Sequence, residues 1–214
     1  MHYKPIPALG KDRLTPFFDG VVAVMGLGTA FKKNVVERAQ LRNGERLLDV
    51  GCGTATLLLA AKAHTPTIEA IGIDSDARVL ALARKKIGES QLTIEVMQAE
   101  AERLPFPSDS FDIVTSTLTF HHFPTEIKKQ VAREIYRVLK PEGRFVLADF
   151  GPPHGILPTL LFALGSLLPS REGKYVQDNT AGKLPMFLEE AGFTVTELVQ
   201  RHKRMMLFLL ASKT

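Results

Sequence analysis

The chain has 214 residues, 45% of them hydrophobic and 23% charged, enough for one packed domain without covalent staples. Its net charge of +4 gathers at Lys32-Lys33, Arg84-Lys85-Lys86 and Arg201-His202-Lys203-Arg204 without an interleaved aromatic stripe, which argues against a nucleic-acid partner. The lone Cys52 excludes a disulfide framework, and Met1-His2-Tyr3-Lys4-Pro5 does not open a signal peptide, so a reducing, cytoplasmic compartment is expected.

The first 40 residues read as helix and cover rather than sheet. From Arg46 onward, short apolar runs alternate with amphipathic stretches, the rhythm of βαβ units around a parallel sheet. Arg46–Val50 predicts the first strand, nearly all apolar as a strand covered on both faces should be. Thr54 is placed to cap a helix with apolar residues through Leu57 to Ala63. Ile68–Ile73 predicts the second strand, ending at Asp74, and Asp76 caps a helix over Ala77–Ile87. Leu92–Met97 and Phe111–Ser116 are the third and fourth strands. Pro124-Thr125 opens a helix to about Leu139, and Lys140-Pro-Glu-Gly143 forms a stop and turn before the fifth strand, Arg144–Asp149. A helix over Ala181–Ala191 and two strands, Thr194–Val199 and Met205–Ala211, complete the pattern as an antiparallel hairpin. The expected fold is a Rossmann-like, doubly wound α/β domain with a mostly parallel seven-stranded sheet. One domain spans 1–214, with a cover (1–40), a cofactor-binding core (41–150), a lid or acceptor segment (151–180) and a C-terminal helix and hairpin (181–214).

Leu47-Leu-Asp-Val-Gly51-Cys52-Gly53-Thr54-Ala55 carries the chemistry. Glycines between a strand and a helix let the backbone turn sharply and approach a ligand, and the helix start offers free amides to an anionic group. Asp49 precedes them, placed to hold the loop or meet an ammonium group. Asp74, where the second strand ends, is placed to accept hydrogen bonds from two ribose hydroxyls.

Taken in order, Leu48-Asp-Val-Gly-Cys-Gly-Thr54, Gly72-Ile-Asp74, Glu100-Ala-Glu-Arg-Leu-Pro-Phe106, Phe111-Asp-Ile-Val114 with His121-His122, and Arg137-Val-Leu-Lys-Pro-Glu-Gly143 resemble the class I S-adenosylmethionine-dependent methyltransferases. Within them the chain is similar to the branch of ubiquinone/menaquinone-biosynthesis C-methyltransferases, over about Leu41 to Phe150 and more loosely beyond. The resemblance implies S-adenosyl-L-methionine as cofactor, S-adenosyl-L-homocysteine as product, and no metal. It implies that Gly51, Cys52 and Gly53 face the methionine portion, that Asp74 with Ser75 binds ribose, that Glu100 accepts from the adenine amino group beside Ala101, and that Ser116 lies near the methionine amino and carboxylate groups. Ala55 stands where many members carry a third glycine, a change expected to leave the loop passable. Phe18, in Phe17-Phe18-Asp19, stands where relatives often carry tyrosine, which removes a hydroxyl contact.

Ligands of an open parallel sheet bind beyond the carboxyl ends of its strands, so the acceptor is expected after strands four and five. There Thr117-Leu-Thr-Phe-His121-His122-Phe123 supplies histidines suited to take a proton near neutral pH, with His121 foremost, and Asp149 faces the same rim. His121 and Asp149 are the candidate catalytic residues; Asp149 orients an acceptor group or caps the next turn. Ile156–Leu168 places Leu157, Leu160, Leu161, Leu164 and Leu168 at helical spacing, with Phe162 and Leu167 off that face. It is too short for the roughly 20 apolar residues of a spanning helix. Core packing explains one face; the rest suits a lid over an apolar, quinone-like or lipid-like acceptor, with peripheral membrane contact through 155–174.

The expected reaction is methyl transfer by in-line displacement to a small acceptor. Two rivals remain: a non-catalytic or membrane-associated module that binds S-adenosylmethionine, and an NAD(P)-dependent oxidoreductase. The latter wants a third glycine where Thr56 stands.

Overall fold

Strand β1 (Arg46–Val50) is an inner strand of the sheet, and its last four residues are buried. The structure, a computed structural model, describes residues 28–153, 155, 175–198 and 206–213. Ahead of β1 runs helix α1 (Thr29–Ala39), and after it come α2 (Thr56–His64), β2 (Glu69–Asp74), α3 (Ala77–Ser90) and β3 (Glu95–Gln98). The chain continues through β4 (Phe111–Thr117), a 3-10 turn (Phe120–His122), α4 (Thr125–Val138) and β5 (Leu139–Phe150). A one-turn helix α5 (Gln177–Thr180), then α6 (Leu184–Glu190), β6 (Thr194–Leu198) and β7 (Met206–Ser212) close it.

The seven strands form one sheet in the order β3-β2-β1-β4-β5-β7-β6. β1 pairs in parallel with β2 and β4, β2 with β3, and β4 with β5; β7 is antiparallel to β5 and β6. This is the expected doubly wound topology, and the order reverses between β1 and β4, where such sheets open a crevice.

Both faces are covered. On one, α4 and α6 bury Val131, Ile135, Leu184 and Phe187 against Val114, Phe145 and Leu209. On the other, α1, α2 and α3 bury Phe31, Val35, Leu57, Leu58 and Leu80 against Leu47, Ile113 and Phe208. Each such side chain contributes about 1.5–3 kcal/mol, which is why near-continuous apolar strands are affordable only in the middle layer. Residues 131, 132, 135 and 138 of α4 recur at helical spacing on its buried face, and Lys128 lies on the same face.

Several expected boundaries move. Thr54 does not cap α2, which starts at Thr56 with Ala55 in the cap position and no side-chain cap bond. Instead the Thr54 hydroxyl meets the Thr56 hydroxyl at 3.1 Å and accepts from Lys86 Nζ at 3.1 Å. Asp76 does cap α3, accepting from the Arg78 amide. The third strand is shorter than expected and starts at Glu95. Lys140-Pro-Glu-Gly143 lies within β5 as a bulge rather than ahead of it: Phe111 pairs with Leu139, and the next pair is Ile113 with Arg144. Glu142 takes a left-handed φ of 61° there, and its amide donates to the Lys213 carbonyl at 2.8 Å. The helix expected over Ala181–Ala191 is the shorter α6, starting at Leu184, and Gly182 with φ +74° separates it from α5, a turn of helix the sequence did not predict. The hairpin pairing is as expected, while its connection, the apolar run 156–168 and the Phe17-Phe18-Asp19 position lie outside the described residues.

Candidate active site

At the carboxyl end of β1 the chain turns back hard. The amides of Gly51 and Cys52 both donate to the Ile73 carbonyl of β2 at 2.9 Å, and the Gly53 amide donates to Asp74 Oδ2 at 3.0 Å. Gly51 sits at φ +74°, and a Cβ there would stand 2.3 Å from Thr119 Oγ1 in the turn after β4. Only glycine fits. Ala55, four residues on, also sits left-handed at φ 60°, so the missing third glycine leaves the loop intact but strained by roughly 1–2 kcal/mol.

Asp49 points into the sheet and is 1% exposed. Its Oδ1 accepts from Thr115 Oγ1 at 2.8 Å, while Oδ2 is buried with no hydrogen-bond partner among the described residues. Burial pushes its carboxyl up to about 6, against the pull of the Lys32 ammonium and the Thr115 hydroxyl. Lys32, on α1, donates to Thr117 Oγ1 at the end of β4, so the N-terminal cover brings a cation to this crevice. Because the folded carboxyl titrates above its ordinary value of 3.8, folding takes up a proton. That stability is complete below about pH 4 and is lost as pH rises through 6. Asp49→Asn should therefore raise unfolding free energy at pH 8 by about 2–3 kcal/mol and change it little at pH 4. Urea denaturation at both pH values checks this; an equal gain at both would contradict it.

Asp74 closes the other side of the loop. Its carboxylate accepts from Gly53 N and, at 3.0 Å, from Asp76 N. Burial raises its pKa, against those amides and that of Ser75. The Ser75 carbonyl accepts from Gln98 Nε2 at 2.9 Å, tying this turn to β3. Glu100 is exposed just beyond β3, raised by desolvation and by the charges of Glu102 and Asp74, with Ala101 buried beside it. The loop, Asp74, Glu100 and Ala101 thus follow the ends of three adjacent strands. Cys52 is buried, and burial and the neighbouring carboxylates push its thiol well up, so it packs as a neutral group. Ser116 is fully buried and donates to the Val50 carbonyl at 2.8 Å, pinning β4 to β1.

The two candidate catalytic residues meet. β4 ends at Thr117, and the next residue, Leu118, takes a φ of 57° that is costly for a bulky residue and sends the chain into the 3-10 turn Phe120–His122. There His121 Nδ1 lies 2.8 Å from Asp149 Oδ1. The fully buried Asp149 carboxylate also accepts from the amides of Phe150 (2.7 Å), Thr119 (3.0 Å) and His121 (3.3 Å). Burial alone would raise its pKa, but the His121 ring, the Phe150 amide and His122 hold it below the ordinary carboxylate value. An ionised Asp149 holds a proton on His121 Nδ1, the tautomer in which Nε2 carries the lone pair. The His122 ring lies 3.9 Å from that of His121, centroid to centroid, and burial pushes its pKa down to about 3, so it stays neutral.

The family described as "Methyltransferase domain" matches residues 47–143. A demethylmenaquinone methyltransferase of Deinococcus radiodurans is 34% identical over 173 residues, 76% of this chain and 71% of that protein. One of Thermus thermophilus is 32% identical over 77% of this chain and 79% of that one. The chain belongs to the class I S-adenosylmethionine-dependent methyltransferases, in the quinone-biosynthesis branch. Solved structures share the fold: an S-adenosylmethionine-dependent methyltransferase of Aquifex aeolicus covers 100% of both chains at TM-score 0.69 and 19% identity. A phosphoethanolamine N-methyltransferase 2 of Haemonchus contortus, in complex with S-adenosyl-L-methionine, reaches TM-score 0.75 at 18% identity, over 97% of this chain and 58% of that one.

This membership sets aside the oxidoreductase and non-catalytic readings. The methyltransferase uses S-adenosylmethionine, and its crevice fits that cofactor: a strand-end carboxylate at Asp74, a loop whose approach leaves no room for a Cβ, and a buried carboxylate oxygen of Asp49 awaiting a donor. Among the described residues no helix is long and apolar enough to cross a membrane, and no group of three His, Cys, Asp or Glu is arranged to hold a metal. Sequence reasoning missed Thr115, Thr119 and Lys32. Thr115 was readable as the cross-strand neighbour of Asp49; nothing in the sequence brings α1 to β4.

Proposed function

We propose that this methyltransferase acts on the hydroquinone form of a quinone-like molecule, with His121 as general base and Asp149 as its positioning residue. The observation that carries this reading is the 2.8 Å contact between His121 Nδ1 and a buried, fully hydrogen-bonded Asp149, which leaves Nε2 as the basic atom. The curated relatives named demethylmenaquinone methyltransferases support the acceptor class. Asp49, Gly51, Cys52, Gly53, Asp74, Ser75, Glu100, Ala101 and Ser116 hold or shape the cofactor's site, in a core that spans 41–150. Segment 151–180 covers the acceptor, with 155–174 meeting its apolar chain or a membrane surface. When bound, S-adenosylmethionine supplies an electrophilic methyl group.

The chain's own part is to make a ring carbon nucleophilic. A hydroquinone hydroxyl gives its proton to His121 Nε2, and the freed electron density reaches the neighbouring ring carbon. That carbon would take the methyl group as the methyl–sulfur bond breaks, with S-adenosylhomocysteine as the leaving group. It would then lose its hydrogen as a proton to solvent while the imidazolium returns its own proton to the ring oxygen, restoring the aromatic hydroquinone. Asp149 stabilises the imidazolium while the proton is held. Deprotonation and alignment together are the whole demand, since orientation of bound partners alone can supply roughly 7–11 kcal/mol.

The test is incubation of the purified protein with methyl-labelled S-adenosylmethionine and a 2-prenyl-1,4-naphthoquinol kept reduced by dithiothreitol. A labelled ring methyl in the isolated product is the expected result. A methyl ether, or no transfer to any prenylated quinol, would reject the reading.

A further inference from the structure

Asn179 is fully buried, yet neither Oδ1 nor Nδ2 of its side chain has a hydrogen-bond partner among the described residues. A carboxamide offers two donors and an acceptor oxygen, and burying it unpaired is costly enough that such groups are rare. Its position is informative. Helix α5, which carries it, packs against the 3-10 turn Phe120–His122 and against β5, the two elements that hold the His121–Asp149 pair.

The helix that carries it is also held in place. Its neighbour Asp178 accepts from Thr125 Oγ1 at 2.6 Å and from Lys183 Nζ at 3.0 Å, with Lys128 Nζ 3.6 Å away. Lys128, itself fully buried, donates to the Tyr175 carbonyl at 2.5 Å. These contacts fasten α5 to the start of α4, so its single turn cannot roll the amide out to water without breaking an ionic cluster. An unpaired buried amide on an anchored helix that packs against both elements of the His121–Asp149 pair is what a site built to read a polar edge requires.

We infer that Asn179 is a specificity-determining residue of the acceptor site, exchanging hydrogen bonds with an oxygen-bearing edge of the ring on which the proposed reaction occurs. The inference rests on the quinol reading above. It predicts that a molecule with a carbonyl beside a hydroxyl satisfies both ends of the carboxamide, and that removing the amide weakens such ligands without touching cofactor affinity.

The experiment is calorimetric titration of the S-adenosylhomocysteine-loaded protein with 2-hydroxy-1,4-naphthoquinone, comparing the parent chain, Asn179→Leu and Asn179→Ser. Leucine matches asparagine in size, and serine keeps one hydrogen-bonding hydroxyl as a second route if leucine fails to fold. The expected result is a roughly ten- to hundredfold weaker Kd in Asn179→Leu, with the serine variant between. S-Adenosylhomocysteine affinity should stay unchanged, and the melting temperature of Asn179→Leu should not fall, because an unpaired buried amide has been removed. Equal binding by all three chains would overturn the inference and leave the quinol reading standing, the amide then being satisfied by water alone. No binding to the parent chain would overturn the acceptor class, and this assignment with it.

Discussion

His121→Ala is expected to lower kcat by about 10²–10⁴-fold while S-adenosylmethionine binds as before. The ring is only partly exposed and, among the described residues, bonds Asp149 rather than the donor loop, so its loss should fall on the proton transfer. Single-turnover methylation of a prenylated naphthoquinol, with cofactor affinity measured separately, checks this. Added imidazole should restore part of the lost rate, because the truncation opens space where the base belongs. Asp149→Asn should also be slow, but imidazole should not rescue it. There the ring remains in place with its tautomer no longer fixed, and the amides of Thr119, His121 and Phe150 lose a charged acceptor. An alanine variant that turns over at the parent rate would reduce His121 to a packing residue.

Gly51→Ala is the second large effect. The added Cβ would lie 2.3 Å from Thr119 Oγ1 and 2.5 Å from Thr119 Cγ2, and its left-handed backbone would be strained as well. The backbone penalty alone is roughly 1–2 kcal/mol, before any collision is relieved. Relief requires moving Thr119, whose amide is one of the bonds that hold Asp149. The variant should therefore lose more than tenfold in S-adenosylmethionine affinity and also in kcat. Thr119→Gly in the same chain should recover much of the cofactor affinity by clearing the collision. Calorimetry on the single and double variants reads this directly; a double variant no better than the single would show that backbone strain, not contact with Thr119, is responsible.

Much of this could be read from the residues because two signals agreed. Apolar runs of strand length set the parallel core, and the turn chemistry at Gly51–Gly53, Asp74 and Asp76 marked where strands hand over to helices. Where the signals were ambiguous, long-range pairing decided. Lys140-Pro-Glu-Gly143 carries turn residues yet lies inside β5 as a bulge, because Phe111 still pairs with Leu139 before it, so the strand begins earlier than local chemistry suggests. Thr54 is a good cap by type, yet the loop needs its extra residue, and Ala55 takes the cap position. His121 and Asp149 were each readable as candidates from their places after strands four and five. Their pairing was not, because it depends on the register between β4 and β5 and on the strained bend at Leu118. Asn179 gave no signal at all: an asparagine near Gly182 reads as a turn residue, and only three-dimensional burial sets it apart.

The buried Lys128 has a further consequence. It clamps Tyr175 and Asp178 to α4, while Asp149 and Phe150 are fixed in β5, so the stretch between begins and ends at anchored points. The two anchors hold their ends independently, so loss of the Lys128 contacts would release one end of that stretch and leave the sheet end in place.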